Sequence, residues 1–491
     1  MTVNIDKWIV DATIADMQTA LESGAIKSEQ LVRAYLDRIT RYDTTINSVL
    51  EINPDALEIA KALDIEREDY GSRGKLHGIP ILLKDNIDTH DRMHTSAGSI
   101  ALTDSIAEQD SFVAARLRAA GAVLLGKTNM TEWSNFMSSR MPAGYSSRGG
   151  LVRNPYGLEE LFVSGSSSGS AAAVAADLAA GAIGTETAGS IIGPASQHFL
   201  VGIKPTVGLI SRSGVIPISV SQDTPGPIAK TVTDAAIILG ALTGIDDRDH
   251  ATYRSENKSF HDYTPFLDRT FLEQAKIGIP RHYYKNLDAE RLAIMEEAIE
   301  TLKYEGATIV DPIELHAEHL PWNNDVICYE FKKGLNAYLS GLDATVPVHS
   351  LEELIAYNEQ YADKALKYGQ DTLQFSQKNT LTEEEYLAKR ITYNELALTK
   401  GIDDVLDRYK LDALLLPGDV DGMYIAARLG YPLVTVPAGY SEHGIVDGDG
   451  DSTKGPFGVV FSGRAFSEPT LIKMAYGFEQ ATKHRYPPKL L

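Results

Sequence analysis

The chain has 491 residues, 43% of them apolar and 23% charged, with a mean hydropathy of -0.16; that is the balance of an ordinary folded protein, long enough for one large domain with insertions or for two lobes. Lys and Arg total 46 against 67 Asp and Glu, a formal charge of -21, which argues against nucleic acid and anionic membrane surfaces as partners. The single cysteine, Cys328, excludes an intramolecular disulfide and a cysteine-built zinc site, and no run of about 18 apolar residues marks a membrane span.

In chain order, residues 1–70 form an N-terminal helical segment, with Leu31, Val32, Tyr35, Leu36 and Ile39 at helical spacing within residues 11–41. No charged, apolar and small-residue leader pattern opens it, so a cytoplasmic location is expected. Residues 71–250 change to short apolar runs separated by glycine-rich turns and alanine-rich helices: Ile79 to Leu83, Ala122 to Leu125, Val201 to Ile203. This is an α/β core whose sheet is buried on both faces. Residues 251–410 read as a mostly helical insertion or cap, with Leu292, Met295, Ala298, Ile299 and Leu302 on one apolar face. Residues 411–491 return to the core sheet through Ala413 to Leu416, Leu433 to Val436 and Val459 to Phe461, then end in a helix from about Pro469 to Thr482.

The densest chemical signal is Ser164 to Ser170, Ser-Gly-Ser-Ser-Ser-Gly-Ser, followed at once by Ala171-Ala172-Ala173-Val174-Ala175-Ala176. It admits three readings. A flexible Gly/Ser linker does not usually run straight into a strong helix former. Gly165 to Gly169 also satisfies the Gly-x-Ser-x-Gly nucleophile elbow, which would make Ser167 the nucleophile of an esterase, with Asp421 and His443 in the required chain order. The third reading joins the segment to Gly184-Thr185-Glu186-Thr187-Ala188-Gly189-Ser190 and to Lys84 in His77-Gly78-Ile79-Pro80-Ile81-Leu82-Leu83-Lys84-Asp85.

Taken together in that order, with Ser190 standing 24 positions after Ser166, these elements resemble the amidase signature family. The likeness continues through Gly202 to Gly208, Pro217 to Pro227 and Ala465 to Glu468, and the wording of Pro217 to Pro227 is similar to bacterial amidases of the peptide amidase kind. The resemblance implies a large twisted mixed central sheet covered by helices on both faces. It also implies a Ser-Ser-Lys triad in which Ser190 attacks, Ser166 relays the proton and Lys84 is the base, with a cis Gly165–Ser166 peptide. The oxyanion hole falls to the backbone of Thr187, Ala188, Gly189 and Ser190. No cofactor or metal is called for, and the expected partners are a small amide and water, in a monomer or homodimer.

Elementary chemistry fits these roles. A serine hydroxyl needs a base, a lysine is a base only when deprotonated, and burial among Ile81, Leu82 and Leu83 would lower its pKa; taken on its position alone, Lys84 could equally be ion-paired with Asp85. Small residues at 187 to 190 let backbone N–H groups approach a developing oxyanion.

Departures from the family bear on the substrate. Members that bind a substrate carboxylate carry Arg two or three positions after the nucleophile, whereas Ile191-Ile192-Gly193-Pro194 follows Ser190 here. With the further departures at Val163-Ser164 and His198-Phe199, Gly193, His198 and Phe199 are expected to shape an apolar pocket for neutral aryl or alkyl amides, with ester and carbamate cleavage open to the same chemistry, while His198 reads equally as a satisfied structural histidine. The alternative within the fold is the ammonia-supplying subunit of a tRNA-dependent amidotransferase. Three motifs are decoys: Gly121 to Thr128 spells a P-loop but reads as a strand, Asp447 to Asp451 begins like a calcium loop but lacks its Gly and Glu, and His316 with His319 lacks further ligands. Cys328, Tyr329 and Phe331 are read as packing residues.

Overall fold

The computed structural model describes residues 5–316, 323–418, 422–448 and 450–490; His319, Asp421 and Asp449 lie outside them. The strands, in chain order, are Val49–Ile52 (β1), Pro80–Lys84 (β2), Val123–Thr128 (β3), Tyr145–Ser146 (β4), Gly150–Leu151 (β5), Gly181–Glu186 (β6), Val201–Lys204 (β7), Thr224–Ala229 (β8), Lys276–Gly278 (β9), Thr308–Val310 (β10), Ala413–Pro417 (β11), Leu433–Ser441 (β12) and Gly455–Ser462 (β13). β4 and β5 pair as a small hairpin, and the others form one mixed sheet in the order β1-β3-β2-β6-β8-β7-β12-β13-β11-β9-β10. Its parallel parts are β3-β2-β6 and β11-β9-β10, and the remaining neighbours are antiparallel.

Central strands β2, β3, β6, β7, β8, β11 and β13 are buried along their whole length, as continuous apolar runs in a two-faced sheet require. The helical entry is two helices, Ile14–Glu22 and Ser28–Ile46, split by a turn at Ser23 to Lys27. Thr13 opens the first through a capping box with Asp16, and Leu31, Val32, Tyr35 and Ile39 bury the face that the spacing marks. The final helix, Glu468–Thr482, packs on β12 and β13.

Within 251–410, β9 and β10 join the edge of the sheet, and the helix between them, Ala289–Tyr304, packs against β12 and β13 with Met295, Ala298, Ile299 and Leu302 buried. Strands of three residues are too short to show an alternating pattern. The helical layer proper comprises Asp325–Ser340, Leu351–Gln360, Asp371–Gln377 and Glu383–Lys400. It has its own core, in which Phe331, Leu335, Leu339, Leu351 and Leu354 meet Trp133, Met137, Ile216 and Ile218 from loops of the sheet. Cys328 and Phe331 are buried there, and Tyr329 stacks on Tyr386 with ring centroids 4.5 Å apart.

Candidate active site

Parallel β2 and β6 end side by side, which brings Lys84, the last residue of β2, next to Thr185 and Glu186 at the end of β6. The Ser/Gly run lies across these strand ends, where ligand sites of parallel sheets form. It is not a linker. Ser168–Ala175 is a helix buried on every side, and the N–H of Gly169 donates to Asn129 O at 3.0 Å. A Cβ at position 169 would stand 2.3 Å from Asn129 O and 2.4 Å from Ser48 O, so only glycine permits this approach. The Gly165–Ser166 peptide is cis.

Lys84 Nζ lies 2.7 Å from Ser166 Oγ, 2.9 Å from Thr185 Oγ1 and 3.3 Å from Thr185 O. Burial pushes its pKa down to about 7, against the opposing charges of Asp223 and Glu186. The ion pair with Asp85 does not form. That carboxylate turns away to Ser96 Oγ, the N–H of Gly98 and Arg148. A lysine whose neutral form is well populated near pH 7, in contact with a serine hydroxyl, can accept its proton.

Ser190 follows at the turn after β6. Its carbonyl accepts the Ser167 N–H at 3.2 Å, which ties the two serine segments together. Gly189 sits at φ +82°, a left-handed conformation that favours glycine, and the Glu186 carboxylate accepts the N–H groups of Ile191 at 2.7 Å and Ile192 at 3.0 Å, fixing the chain just past Ser190. Thr187 donates its hydroxyl to Asp223 Oδ1 at 2.6 Å. Ser167 is engaged differently from Ser166: its Oγ donates to Thr185 O and accepts the Thr185 N–H, each at 3.2 Å. His443 is exposed and bonded to Glu290, so the elbow reading lacks its histidine at Ser167.

A cleft of about 70 Å³ reaches this turn at Ala188. Its wall consists of Gln222, Asn323, Asn324, Val326, Ile327, Arg390, Tyr393, Tyr424 and Arg428. This corrects the pocket expectation. The short helix Ile192–Ser196 carries the chain back against β7, β12 and β13, so Gly193, His198 and Phe199 are buried in packing instead. Gly193 N–H donates to Gly189 O at 2.8 Å, and His198 Nδ1 lies 2.7 Å from Pro194 O. The Phe199 ring packs with Tyr156, Tyr440 and Tyr486. The wall mixes apolar and aromatic groups (Val326, Ile327, Tyr393, Tyr424) with polar ones, and its arginines come from positions 390 and 428 instead of the turn after Ser190. Asn86, Thr185 and Asp223 carry no role in the sequence reading, although each lies inside or beside a stretch that the family resemblance marks. The wall residues from 323 onward carry no motif at all.

The decoys resolve as structure. Lys127 is on a buried strand and donates to Ile87 O at 2.6 Å and Thr95 Oγ1 at 2.9 Å, and Asp447 and Asp451 close a turn on each other. No described helix is long and apolar enough to cross a membrane.

The sequence model of the family described as Amidase matches residues 30–472. A probable amidase of Arabidopsis thaliana is 41% identical, the match covering 98% of this chain and 92% of that protein. An amidase family protein of Bacillus anthracis superimposes with a TM-score of 0.92 at 40% identity, over 99% of this chain and 94% of that one. The native peptide amidase of Stenotrophomonas maltophilia gives 0.88 at 42% identity, over 98% and 99%. A glutamyl-tRNA(Gln) amidotransferase subunit of Coxiella burnetii is 42% identical, but over only 61% of this chain and 60% of its own length. Matched by the Amidase family over residues 30–472 and by amidases along nearly its whole length, the chain belongs to the amidase signature family and is an amide-cleaving hydrolase.

Proposed function

We propose that Ser190 is the nucleophile, that Ser166 relays its proton to Lys84, and that the substrate is a neutral amide. One observation carries this reading: a fully buried lysine with a pKa near neutrality, its Nζ 2.7 Å from the hydroxyl of Ser166. In the first half-reaction Ser190 Oγ bonds to the carbonyl carbon while its proton passes through Ser166 to Lys84. The oxyanion is received by the backbone N–H groups of Thr187, Ala188, Gly189 and Ser190. The proton returns to the leaving nitrogen, the carbon–nitrogen bond breaks, and ammonia or an amine departs. Water then attacks the ester on Ser190 by the same relay and releases the acid. Esters and carbamates present the same carbonyl to the same groups.

On the substrate side, Gln222, Asn324 and Arg390 stand among the apolar and aromatic groups of the wall, which suits an acyl group that carries further carbonyl oxygens beside its apolar parts. Peptide amides have that character, and the Stenotrophomonas relative's name describes such an activity. A panel of peptide amides, aryl amides and esters tests the reading. The expected result is turnover of the amides, fastest for peptide amides, falling by about 10⁴-fold or more in Ser190→Ala and Lys84→Ala. Full rate in either variant overturns it.

A further inference from the structure

Asp223 is buried at the head of β8, on the far side of Thr187 from the Ser190 turn, and its two oxygens do different things. Oδ1 accepts the Thr187 hydroxyl at 2.6 Å. Oδ2 accepts the N–H groups of Ile218 and Ser219, both at 2.8 Å, which closes the loop that leads back to Asp223 itself. With Asn86, Thr185 and Thr187, Asp223 lines a narrow recess. Thr185 in turn holds Lys84 and Asn86 through its hydroxyl.

We propose that Asp223 is a positioning residue of this site, holding Thr187 in place at the start of the oxyanion turn while supplying the negative charge that faces Lys84. The inference rests on the catalytic reading above and adds a residue to it. The charged groups at this spot are few. Lys84 from β2 feels Asp223 and Glu186. Glu186 is committed to the N–H groups of Ile191 and Ile192. Arg212, the cation nearest Asp223, is held by Asp249 through its side chain at 2.7 Å and its N–H at 2.9 Å, with the buried Glu330 also acting on it.

The two tasks separate by mutation. An anion at 223 favours the ammonium form of Lys84, so removing the charge lets Lys84 lose its proton at lower pH. Removing the hydrogen bond alone frees Thr187 and, because that bond helps keep the buried Asp223 ionised, weakens the charge only in part. The experiment is the pH profile of kcat and kcat/KM on one neutral amide for Asp223→Asn, Thr187→Val and Thr187→Ser in the full-length chain. Asp223→Asn is expected to lower kcat by about tenfold or more and to move the acid limb of kcat/KM to lower pH. Thr187→Val is expected to lower kcat with a smaller limb shift than Asp223→Asn, and Thr187→Ser, which keeps the hydroxyl, to restore most of the rate. Should Asp223→Asn not fold, Asp223→Glu keeps the charge but misplaces it, and the expected result is a wild-type limb with reduced kcat. Wild-type kcat in Thr187→Val, an unmoved limb in Asp223→Asn, or a shifted limb in Asp223→Glu overturns the inference. If Ser190→Ala and Lys84→Ala abolish turnover in the same assays, that failure belongs to the Asp223 role alone and not to the catalytic reading.

Discussion

The floor of the cleft and its wall are built by opposite means. On the floor, Lys84, Ser166 and Ser167 are wholly buried, and Thr185 and Ser190 nearly so, at 6% and 7% exposure. Every element there arrives on a strand end or a helix start, and hydrogen bonds run from segment to segment: Ser166 O to Thr131, Ser167 to Thr185 and Ser190, Glu186 to the turn beyond. The wall stands on helices whose outer faces are wet. Leu387, Ile391 and Leu398 on Glu383–Lys400 are more than half exposed, and Tyr424 is 43% exposed. Glu330 ties the helical layer to the loop before β8 by accepting the hydroxyls of Ser219, Ser221 and Tyr386. The contrast teaches that the reaction depends on atoms with no freedom to move, whereas the choice of substrate is left to side chains that can change without disturbing the sheet.

Short of removing the triad itself, the largest effect expected on the floor is the loss of activity with acid. Lys84 must be neutral to take a proton, and its pKa is about 7, so kcat/KM should rise through neutrality to a plateau and fall about tenfold per pH unit well below it, roughly 50-fold between pH 7 and pH 5. A profile flat from pH 5 to 8 would break the assignment of the base. Next comes the floor's packing. Gly169→Ala forces a methyl against two carbonyl oxygens and should cost about 1–3 kcal/mol of stability, read as a lowered Tm. An unchanged Tm would mean that the floor can yield. The smallest effect belongs to the wall, where Tyr393→Ala should raise KM by roughly three- to tenfold, about 1 kcal/mol, and leave kcat within a factor of two. A large fall in kcat instead would merge the two regions into one.

How much of this is legible in the sequence follows the same division. The triad candidates, the cis peptide at Gly165–Ser166 and strands β2, β3, β7, β11, β12 and β13 can be read because they rest on local wording or on unbroken apolar runs. β6 and β8 cannot. Gly181-Ala182-Ile183-Gly184-Thr185-Glu186 and Thr224-Pro225-Gly226-Pro227-Ile228-Ala229 carry the residues that normally end a strand. They survive in the middle of the sheet because β8 pairs with β7 only at Ile228 and Ala229, leaving Pro225 and Pro227 beyond that partner. The wall is illegible for a different reason: Gln222, Val326, Arg390 and Arg428 are far apart in sequence, and only the fold brings them to one cleft. The expectation for Gly193, His198 and Phe199 fails because nearness to Ser190 in the chain is not nearness to the substrate. The helix at Ile192–Ser196 turns them into the core.

The claim on which all of this depends is the identity of the nucleophile. Labelling the full-length chain with a serine-directed phosphonate and locating the adduct by peptide mass addresses it directly. The account predicts a single adduct on Ser190, lost in Ser190→Ala. An adduct on Ser167, or undiminished labelling of Ser190→Ala, would contradict it.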